Sequence, residues 1–98
     1  MKISKITYSK KSLKFINKNS ITKDVVKKEI IKALKKIYKI ADTNVNLKKL
    51  KLSPKITNYR VRIGDIRIIF SFTDVGNGTI VVYIEVLDIG YRGDIYKK

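Results

Sequence analysis

Residues 59–70 read YRVRIGDIRIIF. Two short runs rich in branched and aromatic residues flank Gly64-Asp65, a pair suited to a two-residue hairpin loop. Such a loop sets the register: Ile63 faces Ile66, Arg62 faces Arg67, Val61 faces Ile68 and Arg60 faces Ile69. Side chains alternate along a strand, so Val61, Ile63, Ile66, Ile68, Phe70 and Phe72 share one face, while Arg60, Arg62, Arg67, Ile69 and Ser71 share the other. The first face needs a cover. The second places two arginines directly opposite each other, where like charges weaken strand pairing. Either the pair splays into water, the ordinary fate of strand arginines, or a shared anion turns repulsion into a clamp, because each guanidinium can donate to phosphate oxygens.

Working outward, Ile56 to Ile63, Ile66 to Thr73 and Thr79 to Leu87 read as three strands joined by Gly64-Asp65 and by DVGNG. Upstream, KISKITY alternates as a first strand and Ser9 is placed to cap a helix. SKKSLKFINKN sets Leu13 and Ile16 three apart with Phe15 beside them, and Asn17 to Ser20 reads as a break. From Thr22 the spacing predicts a longer helix, with Val26, Ile30, Ala33, Leu34, Ile37 and Ala41 on one stripe. ADTNVNLKKLKLSPK, residues 41–55, holds the only proline and reads as a loop into the sheet. The expected class is α+β, a single domain over residues 1–98. Two N-terminal helices pack on one face of a mainly antiparallel sheet in the order β-α-α-β-β-β.

Charge dominates the composition: 23 Lys and Arg against 8 Asp and Glu give a net +15. Such a surface attracts nucleic acid or an anionic membrane surface in a salt-dependent way, the second being disfavoured because the long helix needs its apolar stripe to cover the sheet. Residues 1–55 hold 17 lysines, no arginine and three acids, and so carry +14 of the total. All four arginines, Arg60, Arg62, Arg67 and Arg92, fall between Ile56 and Tyr96, a stretch without lysine. Arginine differs from lysine in its planar fork of donors, which grips phosphate or carboxylate bidentately, so its selective use points to recognition. On the long helix, Lys27, Lys28, Lys32, Lys35 and Lys36 lie mostly off the apolar stripe. They are a solvated surface or contacts to a nucleic-acid backbone, which would position without reading sequence. Cysteine and histidine are absent, removing thiolate sites, the commonest metal ligand and the commonest general base. No apolar run reaches membrane-span length and MKISKITYSK lacks the core of a signal peptide, so the expected location is the cytoplasm.

In IGYRGDIYKK, residues 89–98, Gly90 and Gly93 are read as ending the last strand, leaving Arg92 and Tyr96 just beyond it and within reach of the arginine face. A tyrosine among guanidinium groups has its phenolate favoured, which makes it a usable proton acceptor; the alternatives are a ring that stacks on a base, or a frayed basic tail with Tyr96 packed on the core.

YRVRIGDIRIIFSF followed about twenty residues later by RGDIYK resembles the RelE/ParE superfamily of toxins from prokaryotic toxin–antitoxin pairs, and the RelE branch in particular. The agreement in element order runs over essentially the whole chain. The resemblance implies a ribosome-dependent mRNA interferase: a metal-independent endoribonuclease, without cofactor, that enters the ribosomal A site and cuts mRNA by attack of a 2′-hydroxyl on the adjacent phosphate. It also implies a RelB-like antitoxin that wraps the toxin as partner; the +15 charge calls for an acidic segment in that partner, and an apolar strip beside the arginine face that includes Ile69 would help receive it. Carried over residue by residue, Arg60 and Arg62 fall on basic positions that hold mRNA phosphates, Arg62 being a catalytic candidate as well. Arg67 falls on the arginine that contacts the scissile phosphate. Tyr96 falls on the C-terminal tyrosine, the candidate base, and Arg92 on a basic position of the same segment. The chain departs from the pattern at Gly90, where the best-known member has an arginine proposed as general acid, and at Tyr91, where many relatives have histidine. Either Arg92 takes over that task, or cleavage is slow, or the toxin is impaired. The competing readings are a ParE-like inhibitor of DNA gyrase and a non-catalytic or decayed toxin that only binds RNA or antitoxin. The three strand arginines with Tyr96 favour the RelE-like nuclease over both.

Overall fold

The computed structural model describes residues 1–51 and 57–91. Its elements run β1 (Lys2–Tyr8), α1 (Lys10–Lys18), α2 (Lys23–Ile37), β2 (Asn46–Lys51), β3 (Thr57–Ile63), β4 (Ile66–Asp74) and β5 (Val81–Tyr91). The strands form one sheet in the order β1-β5-β4-β3-β2, with β1 parallel to β5 and every other pair antiparallel. The α+β arrangement of two helices on a mainly antiparallel sheet is therefore present.

Both helices begin where their sequences supply a cap. The Ser9 hydroxyl accepts from the Ser12 amide at 3.1 Å, shares a 2.8 Å hydrogen bond with the Ser12 hydroxyl and donates to the Leu87 carbonyl at 2.8 Å. One side chain thus starts α1 and ties it to β5. Thr22 accepts from the Val25 amide at 3.2 Å, and Asp24 in the first turn with Lys35 and Lys36 in the last suits the dipole of α2. The helix stops at Tyr38 through a left-handed Lys39, φ +56°. Its amide donates to the Lys36 carbonyl at 3.1 Å, and the Ile40 amide donates to the Lys35 carbonyl at 2.8 Å. Glycine is the usual residue at such a stop, because a Cβ there is strained. Lys39→Gly is accordingly expected to stabilise the protein by about 1 kcal/mol, part of the relief being lost to glycine's freer unfolded chain. A higher midpoint in urea unfolding is the check; a lower one refutes it.

The core lies between helices and sheet. Val26, Ile30, Ala33 and Leu34 of α2 are fully buried against Val61, Ile68, Phe70, Val82, Ile84, Val86 and Ile89. The predicted stripe therefore holds as far as Leu34. Ile37 is only half-buried and Ala41 is exposed, because the helix has ended three residues before it. Ile63, Ile66 and Phe72 pack against the same cluster, so all six residues predicted to face the helices do.

Two expectations are corrected. Part of the segment read as a loop is β2, which pairs antiparallel with β3 along the sheet edge. The last strand begins at Val81 rather than Thr79 and runs through Gly90 to Tyr91 rather than stopping at Leu87. An irregularity opposite Ile69 and Phe70 makes this possible: Ile69 pairs with Asp88 and Phe70 with Val86, so Leu87 is an extra residue. The bulge resets the alternation and returns Ile89 to the core face beyond it.

Candidate nucleic-acid interface

The site begins with the turn. Gly64 has φ +56°, the left-handed value that the first position of a type II′ hairpin loop requires and that side-chain-bearing residues resist. This loop holds the register read from the sequence: Ile63 opposite Ile66, Arg62 opposite Arg67, Val61 opposite Ile68 and Arg60 opposite Ile69.

The neighbouring strands extend that pairing into two rows across the sheet. In one row lie Asn46 of β2, Arg62, Arg67 and Gly90 of β5; in the next lie Lys48, Arg60, Ile69 and Asp88. Because the core occupies the other face, these rows make a basic surface on the side away from the helices. The three arginines are not splayed into solvent. Each is half-buried, and the Nε atoms of Arg60 and Arg67 are buried outright. Part of the guanidinium group of Arg60 and of Arg67 is thus withdrawn from water before any ligand arrives. Arg60 donates from its terminal nitrogen to Asn46 Oδ1 at 2.7 Å. Asp88, the acid of the second row, has Oδ2 engaged by Lys11 Nζ at 3.2 Å. An anion brought to Arg62 and Arg67 would thus meet a positive surface whose neighbouring carboxylate is already compensated.

Asn46 and Lys48 are site residues that the sequence reading passed over. Their segment, NLKKLK, shows no strict apolar alternation, since Leu47 and Leu50 are three apart. Lysines on an edge strand discourage pairing with another sheet, and the same lysines hide the strand pattern.

Gly90 sits in register with Arg67 as a strand residue, rather than breaking the strand. It leaves the position beside Arg67 without a side chain. Tyr91 directs its hydroxyl to Asn19 Oδ1 at 2.7 Å and its ring edge-on to Phe15, with centroids 5.1 Å apart, so it belongs to the α1 side. Arg92 and Tyr96 lie outside the described residues. Burial, chiefly, pushes the hydroxyls of Tyr8 and Tyr38 above their usual value of 10.0, with Asp24 and Asp74 respectively adding to the effect. Both belong to the core side and are poor proton acceptors.

Helical lysines and strand arginines are not brought together. Lys27, Lys28, Lys32 and Lys36 are exposed and Lys35 half-buried, on a helix that covers the opposite face of the sheet. Lys32 pairs with Glu29 one turn earlier at 3.2 Å. Ile69, placed by sequence in an apolar strip open to a partner, is only 8 % exposed and offers little surface. No helix of the described residues is long and apolar enough to cross a membrane.

No family model matches the chain, and no curated protein matches it. Among solved structures, the chain is similar to the crystal structure of the archaeal RelE-RelB complex from Pyrococcus horikoshii OT3. The identity is 20%, the match covers 92% of this chain and 96% of that one, and the TM-score is 0.54. The fold is therefore RelE-like over nearly its whole length.

Proposed function

We propose that this RelE-like chain is the toxin of a toxin–antitoxin pair and a metal-independent endoribonuclease that cuts mRNA in the ribosomal A site, acting in the cytoplasm. The single observation that carries the reading is the half-buried Arg62–Arg67 cross-strand pair, flanked by Arg60 and by the bare backbone of Gly90. Two like charges held side by side destabilise a fold unless something else gains from them. A phosphodiester gains. Its charge rises as the 2′-oxygen forms a bond to phosphorus and the bond to the 5′-oxygen breaks, so two preset guanidinium groups stabilise the transition state more than the ground state.

In this mechanism Arg62 and Arg67 grip the scissile phosphate and Arg60 holds a neighbouring one. Tyr96 takes the 2′-hydroxyl proton. Arg92 is the remaining arginine for delivering a proton to the departing 5′-oxygen, since Gly90 has no side chain to do so. The products are a 2′,3′-cyclic phosphate and a 5′-hydroxyl, and no metal takes part. Lys27, Lys28, Lys32, Lys35 and Lys36, on the far side of the sheet, would meet ribosomal RNA while the arginine face meets mRNA. An acidic RelB-like antitoxin would hold the toxin inactive.

Primer extension on mRNA bound to ribosomes with an open A site tests the proposal. Cuts confined to the A-site codon are expected, with the rate falling about 10²-fold or more in Tyr96→Phe, the scale of a lost general base. A folded protein that makes no cuts refutes the nuclease. Inhibition of gyrase supercoiling in its place would establish the ParE-like reading.

A further inference from the structure

A groove of about 360 Å³ opens between α1 and the end of β5, beyond the last residue of β5 that β1 pairs with. Phe15, Ile89 and Tyr91 form its apolar walls, and Lys11, Lys14 and Lys18 line its α1 side. Apart from Lys14 and Lys18, its polar side chains have little left to offer a ligand, the Asp88 Oδ1 atom being buried. Asn19 donates Nδ2 to the Phe15 carbonyl at 2.8 Å and accepts from the Tyr91 hydroxyl, while Asp88 Oδ2 receives Lys11. What remains is an aromatic surface, Tyr91 being 43% exposed, beside the ammonium groups of Lys14 and Lys18. Little is left to read the edge of a base, which favours a protein segment over a nucleotide.

The lysine spacing narrows the occupant. Steps of three and four residues set Lys11, Lys14 and Lys18 along one face of α1, over about 10 Å at 1.5 Å per residue. A segment lying along α1 would match them with carboxylates at similar spacing, leaving an apolar side chain between them for the groove. We infer that the α1–β5 groove seats an acidic amphipathic segment of a protein partner, with an apolar anchor against Phe15 and Tyr91 and carboxylates on Lys14 and Lys18. Naming that partner as the antitoxin rests on the function proposed above; the chemistry of the groove does not. Gly90 belongs to both sites, lining the groove and pairing with Arg67. An occupant therefore reaches the stretch of β5 whose Gly90 stands in register with Arg67, while its charges meet the lysines of α1.

The test is selection of random 16-residue peptides displayed on phage against the full chain, followed by synthesis of those enriched. Enriched peptides are expected to carry acidic residues around an apolar anchor. They should bind the Lys14→Glu, Lys18→Glu double variant about tenfold or more weakly, and Arg62→Ala, Arg67→Ala as well as the parent. Amide NMR shifts should change at residues 14–19 and 88–91. Peptides that bind the lysine variant equally well, or that shift the arginine strands instead, overturn the inference. Primer extension separates it from the nuclease: a chain that cuts no mRNA yet binds these peptides in the groove keeps the docking site and loses the toxin role.

Discussion

Arg67→Ala is expected to lower A-site cleavage by about 10²- to 10³-fold, the loss that follows removal of one donor aimed at developing charge. Arg67 stands in the β4 position that pairs with both Arg62 and Gly90, so no neighbour on β5 can replace its charge. The same substitution relieves the repulsion with Arg62. Stability is therefore expected to fall by no more than about 1 kcal/mol, this relief being set against the contacts of a side chain whose Nε is buried. This opposition is the discriminating result, since a merely structural arginine would show the reverse. Arg67→Lys should recover only part of the rate, because a point charge replaces a two-pronged donor. Single-turnover cleavage on ribosome-bound mRNA, with urea unfolding of the same samples, measures both quantities. Wild-type cutting by Arg67→Ala would remove the arginine pair from the mechanism.

Phe70→Ala is expected to cost about 3–5 kcal/mol of stability, the usual range for emptying a buried phenylalanine site. Phe70 is fully buried on the central strand β4, with its ring stacked on Tyr59 at 5.8 Å between centroids and near Phe72 at 6.5 Å. Against a total of about 5–15 kcal/mol for a typical domain, the variant would be marginal at 37 °C. Phe70→Leu, which keeps most of the volume, should lose much less. Urea midpoints decide it: a loss below about 1 kcal/mol for Phe70→Ala would mean that the core does not close over this ring. Arg67 sits three residues along the same strand, so cleavage should fall with the folded fraction.

The central hairpin was readable because two local rules agreed, a Gly-Asp loop and strict alternation on both sides of it. Register, facing and the Arg62–Arg67 pairing all came from those twelve residues. The α2 stripe was readable for the same kind of reason as far as Leu34, and it failed at Ala41 because the helix stop is carried by Lys39, a residue with no stop signal of its own. β2 was hidden by its edge position, which lets lysines take the places that a central strand gives to branched apolar residues. Gly90 misled because glycine marks a turn in most strand contexts, whereas here it is a bare position inside β5. The bulge at Leu87 left no local sequence sign, being a matter of how β5 pairs with β4, the strand before it.

Sheet order also has a kinetic side. β1, near the start of the described chain, pairs only with β5, Lys2 standing opposite Val81. Closing a loop of nearly eighty residues costs chain entropy before any contact repays it, so this parallel pairing forms late. The β3–β4 hairpin closes over two residues and can form early, which means the Arg62–Arg67 repulsion is met before β5 and the helices are in place to hold it. A nascent chain thus carries this like-charged pair as a separate, reversible hairpin. The positive surface becomes rigid only with the last strand, so a partner bound during synthesis would meet the arginines while they are still loose.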